Sequence, residues 1–150
     1  MIIEQQLVIR APAARVWQFT MDLPSIAECV PGFQAIERLD DDTYVGSVKA
    51  QVGPVSVRLS GKVWVAERNH DELLAKMNVE AADKRIRGAV TAKMLMRLES
   101  GGDGTTAMAV HTDAAILGKL GEFGQAVVRR KTSQVMEQFA RNVSVKLSAP

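Results

Sequence analysis

Residues 105–124 read TTAMAVHTDAAILGKLGEFG. The first part, Thr105 to Leu117, alternates in the manner of a strand, and it breaks at the glycine triplet Gly118, Gly121 and Gly124. A helical pattern follows and runs nearly to Pro150, with Leu120, Gly124, Val128, Val135, Phe139 and Val143 on one stripe and Phe123, Val127 and Leu147 at its edges. The spacing predicts a terminal helix over residues 119–146, good to a few residues at each end. Such a helix laid across one large sheet tends to enclose a cavity. That geometry suits holding an apolar molecule.

Working back toward the N-terminus, the remaining elements are short and separated by turns. Ile3, Leu7 and Ile9 alternate as a first strand, and Pro12 suits the first position of a short helix carrying Val16, Trp17 and Phe19. A second short helix is expected from Pro24 to Cys29, stopped by Pro31-Gly32. Strands are then expected at Phe33–Leu39, Thr43–Val52, Val55–Arg68, Glu72–Ala82, Ala89–Ser100 and the stretch quoted above. The tight connections, among them Asp40–Asp42, Gly53-Pro54 and Gly101–Gly104, imply an antiparallel meander. The expectation is a single α+β domain over residues 1–150 with seven strands, two short helices after the first strand and one long final helix.

A period of two sorts the strand residues into two faces. One face collects Tyr44, Val48, Val57, Leu59, Met77, Val79, Ala92, Met94, Met96, Met108, Val110 and Ala114, with Gly61 among them. The other carries Arg58, Lys62, Lys76, Glu80, Lys93 and Arg97. The dry face is short of bulk, rich in Ala and Met, and only 5% of the chain is aromatic. Interiors normally pack densely, so small residues under one helix point to an apolar tunnel, against the alternative of a plain core in which Met fills the gaps. Leu120, Phe123, Val127, Met94, Met96, Met108 and Val110 are the lining candidates. Gly118, Gly121 and Gly124 are gate candidates, because glycine weakens the first turns of a helix. Lys131 lies within the helix stripe, where it either meets the polar end of a ligand or snorkels to water. Trp64 falls on the wet face, as an interface aromatic or as a ring lying across aliphatic stems.

Composition narrows the function classes. The fractions of 47% hydrophobic and 24% charged residues are those of a globular chain, and a net charge of +2 gives no argument for nucleic acid. The N-terminus lacks the basic start and apolar stretch of a signal peptide, and no run approaches a membrane span, so a cytoplasmic location is the expectation. The lone Cys29 forms no internal disulfide and has no metal-ligand spacing; it reads as a buried structural thiol. His70 falls in a polar turn and His111 on the wet face, and no nucleophile elbow or paired carboxylates are visible. The glycine triplet lacks the lysine-serine pair of a phosphate loop. No cofactor and no enzymatic activity are expected. The basic residues Arg129, Arg130, Lys131, Arg141 and Lys146 either meet an anionic surface or solvate the helix.

Several short pieces, in order and spread along the chain, carry a resemblance: Ala11–Trp17, Cys29-Val30-Pro31-Gly32-Phe33, Tyr44-Val45-Gly46, Val52-Gly53-Pro54-Val55, Gly61, and Asp113–Gly121. Together they resemble the CoxG family of carbon monoxide dehydrogenase subunits, within the START-like, helix-grip SRPBCC superfamily. The resemblance implies a seven-stranded antiparallel sheet wrapped around the long C-terminal helix, with the two small helices completing the cavity. It also implies a lipophilic small molecule as ligand, such as a quinone or lipid. The implied partner is a molybdenum hydroxylase of the CO dehydrogenase type, recruited to the membrane through peripheral contact at its inner face. Many relatives continue into a C-terminal linker and apolar anchor, whereas this sequence ends at Ser148-Ala149-Pro150. Cyclases and hydrolases share the fold, so an enzyme is the alternative, and a docking subunit with a filled core is another.

Overall fold

The computed structural model describes residues 1–148. The elements are β1 Ile2–Ile9, α1 Ala13–Thr20, α2 Leu23–Ala27, β2 Phe33–Arg38, β3 Thr43–Val52, β4 Val55–Asn69, β5 Leu74–Asp83, β6 Gly88–Ser100 and β7 Thr106–Gly118. A 3-10 turn, Lys119–Phe123, and a 24-residue helix, α3 Gln125–Ser148, complete the chain. All seven strands form one antiparallel sheet in the order β1-β7-β6-β5-β4-β3-β2. This is the α+β helix-grip arrangement: a meander of short connections whose first strand closes against its last.

The period of two explains the register. Val48 faces Leu59, Val63 faces Val79, Met77 faces Met94, Met96 faces Val110 and Met108 faces Leu7, so the apolar residues of neighbouring strands share one side. Trp64 stands on the opposite side, half-buried between Thr43 and Asn78. A bulge between Val65 and Glu67 then shifts the phase and brings Arg68 opposite Ala75, where it pairs with Asp42. Leu73, expected within a strand, instead lies in the preceding turn with φ 53°.

Helix boundaries differ from the sequence expectation at two places. Pro12 is the N-cap of α1, with extended backbone, rather than its first helical residue. The terminal helix does not begin at residue 119. Gly118 (φ 63°) and Gly124 (φ 83°) take backbone conformations closed to other residues, so they bracket a separate 3-10 turn, and only Gly121 lies inside it.

Packing is uneven along α3. Its C-terminal half buries Ala140, Val143 and Leu147 against Ile9, Ala11, Val16, Trp17, Leu98 and Met108. The N-terminal half contributes no fully buried residue, and its apolar side chains Val127, Val128, Val135 and Met136 are half-buried. Polar ties hold the helix along β1: the Arg129 guanidinium donates to the Ile2 carbonyl at 2.8 Å, Gln5 to Ser133 at 3.2 Å and the Arg10 amide to Ser144 at 3.0 Å. The helix is therefore fixed in place while half of its inner face lacks a dense core beneath it.

Candidate functional site

That loosely packed half of α3 stands over space. Three pockets lie between the apolar face of the sheet and the helices, with volumes of about 320, 270 and 300 Å3. Met94, Val110 and Met136 line both of the first two, while Leu59 and Val90 line both of the last two. The pockets are thus adjoining compartments with common walls. Each is near the lower limit for sites that hold small organic ligands.

The first compartment sits beneath α1, α2 and the link between them, whose Thr20, Met21, Leu23 and Ile26 close it opposite Met77, Met96 and Met108 of the sheet. The second sits beside the glycine-rich segment, between Ala50, Val57, Ala92 and Ile116 of the sheet and Leu120, Phe123 and Val128. The third reaches the β2–β3 edge through Phe33, Tyr44 and Val48. Small residues pair across the strands and leave room in the second compartment, where Ala92 faces Ala114 across β6 and β7.

Of the lining candidates, Leu120 and Phe123 border the second compartment, Met96 and Met108 the first, and Met94 and Val110 both. Val127 is half-buried, and its neighbour Val128 borders the second compartment. Leu120 is anchored rather than free: a Cβ on Gly88 would lie 2.5 Å from its Cγ, so the leucine fills the hole that glycine leaves. Among the gate candidates, a side chain on Gly118 would meet the Arg87 carbonyl at 2.2 Å, and one on Gly121 would meet that of Ile116 at 3.0 Å. The resemblance implied that the two short helices complete the cavity, but sequence reasoning named none of their lining residues and missed Met136. The i, i+4 series Val128, Thr132, Met136, Ala140 carried the signal for Met136.

Polar chemistry around the compartments is sparse. Gln5, Thr112, Lys131 and Thr132 border the second, and Thr132 already donates to the Val128 carbonyl at 2.8 Å. Every buried side-chain nitrogen and oxygen among the described residues has a hydrogen-bond partner. Within those residues no three His, Cys, Asp or Glu converge as metal ligands. Both histidines are engaged elsewhere. His70 accepts the Trp17 indole N–H at Nδ1, 2.8 Å away, which places its own proton on Nε2, and His111 lies 3.0 Å from Glu4 on the outer face. Burial pushes the Cys29 thiol up, against a smaller opposing effect of Lys146, so the group is held in its unreactive form. The arrangement can desolvate and enclose an apolar molecule.

The profile of the CoxG family of carbon monoxide dehydrogenase subunits matches residues 6–148, and the chain belongs to that family. No curated protein sequence matches it. Among solved structures, it is similar to a conserved protein from Geobacillus kaustophilus at 17% identity and a TM-score of 0.89, over 99% of this chain and 95% of that one. A START superfamily protein from Mycobacterium smegmatis is similar at 10% identity and a TM-score of 0.71, over 97% and 96%. The Zhui aromatase/cyclase from Streptomyces sp. R1128 is similar at 14% identity and a TM-score of 0.60, over 98% and 90%. These likenesses place the fold among START-like domains.

Proposed function

We propose that this member of the CoxG family is a non-enzymatic carrier of a lipophilic molecule, accessory to a molybdenum hydroxylase of the CO dehydrogenase type. The observation that carries the reading is the set of adjoining compartments walled by Ala, Val, Leu and Met beneath a helix that is otherwise firmly tied down. An apolar guest gains about 25 cal/mol for each Å2 it removes from water, and methionine side chains adapt to its outline. A quinone fits this role because it is apolar and could couple an oxidising enzyme to the membrane, to which the protein would also recruit its partner. The segment Gly118–Gly124 serves as the gate, since its flanking glycines can change backbone angles at little cost.

The alternative, an enzyme on the same fold, draws on one feature: Gln5, Thr112 and Lys131 bring polar groups to the edge of the second compartment. The two readings separate by experiment. Ligand-stripped protein should take up an apolar fluorescent dye, and a short-chain quinone should displace the dye and be recovered chemically unchanged. Ala92→Trp or Ala114→Trp, each filling the second compartment, should abolish uptake in folded protein. Uptake that persists in both variants would refute the carrier reading.

A further inference from the structure

Charge is sorted along the strands. The three turns at one end of the sheet, between β2 and β3, β4 and β5, and β6 and β7, carry Asp40, Asp41, Asp42, Asp71, Glu72 and Asp103, and within these turns there is no Lys or Arg. Arg38 and Arg68 at this end are paired with Asp41 and Asp42, while Arg10 and Arg15 offset part of the remaining charge. The opposite end is basic. Its β5–β6 turn exposes Lys84, Arg85 and Arg87, Lys119 follows Gly118, and the N-terminus of α3 adds the positive end of its dipole. In these connections Glu122 opposes them, and Asp83 at the end of β5, which is buried and accepts the backbone N–H groups of Arg58 and Arg85, also pairs with the Arg85 guanidinium at 3.4 Å.

A second observation at the basic end concerns shape. On the outer side of the sheet, behind the second compartment, lies a bowl of about 500 Å3 bordered by Lys49, Arg58, Lys84, Arg85, Ser56 and Ser60, with the Asp83 carboxylate, 3.4 Å from the Arg85 guanidinium, also in its wall. Lys49 and Arg58 are directly opposed across β3 and β4, an arrangement of like charges that costs stability on its own. No ion pair among the described residues involves Lys49, Arg58 or Lys84. Three cations outside any such pair, with two hydroxyls, around one concavity suit the oxygens of a phosphate headgroup. A third observation is Leu117, 50% exposed at the same end, next to the glycine-bracketed turn.

From this juxtaposition we infer that the basic end of the sheet is the face that docks on an anionic lipid bilayer, with the acidic end turned to water. The inference rests on the carrier reading and adds its direction: the cations and the bowl take headgroups, Leu117 enters the interface, and the gate faces the hydrocarbon from which a lipophile comes. An anionic surface attracts one end and repels the other, so docking and orientation have the same cause. An acidic protein would satisfy the cations but would leave Leu117 and the headgroup-sized bowl without a purpose.

The test is sedimentation with vesicles of phosphatidylcholine alone and of equal parts phosphatidylcholine and phosphatidylglycerol. Binding is expected only to the anionic vesicles and should fall as salt is raised. Replacing two exposed cations, Lys84→Gln and Arg87→Gln, should weaken it by about thirtyfold, from the usual contribution of each basic residue near an anionic surface. Asp71→Lys with Glu72→Lys, at the far end, should not weaken it. A polarity-sensitive dye on Leu117→Cys should shift on anionic vesicles, while the same dye on Leu39→Cys, at the acidic end, should not. Equal binding of the neutralised variant, no binding to any vesicle, or a response at residue 39 in place of 117 would each overturn the inference. Dye uptake in vesicle-free solution should be unchanged by the two Gln substitutions, so a failure of docking is distinguishable from a failure of carrying.

Discussion

Ala92→Leu tests whether the space beneath α3 is real through the sign of a stability change. Ala92 is half-buried, borders the second compartment and stands between Val79 and Ala114 of the neighbouring strands. Leucine adds three carbons. At about 0.8 kcal/mol per buried carbon the gross gain is about 2.4 kcal/mol, and ordering the side chain returns roughly 0.5–1 kcal/mol of it. The net expectation is about 1.5 kcal/mol of added stability, or a rise in Tm of roughly 3–6 °C for a chain of this length. In a closely packed interior the same change would cost about 1–3 kcal/mol, so the two pictures differ in sign. The assay is thermal unfolding followed by circular dichroism, on protein stripped of lipid, because a bound guest would raise the Tm of the parent. Dye affinity should fall at least tenfold in the same variant. A lowered Tm with unchanged dye affinity would refute the cavity.

Three further outcomes follow from local geometry. Gly124→Ala meets no neighbouring atom but places a side chain at φ 83° and ψ 154°, so it should cost about 1–3 kcal/mol from backbone strain alone, read by urea unfolding. Trp17→Phe keeps the ring against the core but removes the bond to His70 Nδ1, with an expected loss of about 0.5–1.5 kcal/mol by the same measurement. The Asp83 carboxyl is held below the usual carboxylate range, chiefly by the Arg58 backbone N–H and then by Arg85. Its folded-state pKa is depressed, so its contribution is present above roughly pH 4 and fades as pH falls through the folded value. Asp83→Asn should therefore be less stable at neutral pH and show a shallower acid limb.

Much of the architecture was legible because strands announce themselves by a period of two. From Tyr44 to Ile116 the apolar residues of β3 to β7 share one side of the sheet, and the observed register pairs them. The phase slip at the β4 bulge was not legible, since Ala66 carries no side-chain signal for it, and Arg68 consequently reaches the border of the first compartment unannounced. The glycine triplet was visible, but its meaning was not. A glycine inside a helix costs only about 1 kcal/mol, so composition alone did not distinguish the interior of a long helix from the two breaks found at Gly118 and Gly124. The resemblance implied a wall of short helices, but not that Leu23 and Ile26 form it, because a five-residue helix is too short to display a periodicity. The sorting of charge between the two ends appeared only once the topology had placed alternate turns together.

The most direct test of the central claim is native mass spectrometry of freshly purified protein, followed by solvent extraction and mass analysis of what is released. The predicted result is a population heavier than the bare chain by one lipophilic molecule, recovered in the extract and lost in the Ala114→Trp variant. A single species at the mass of the bare chain, with an empty extract and no dye uptake, would contradict the carrier reading.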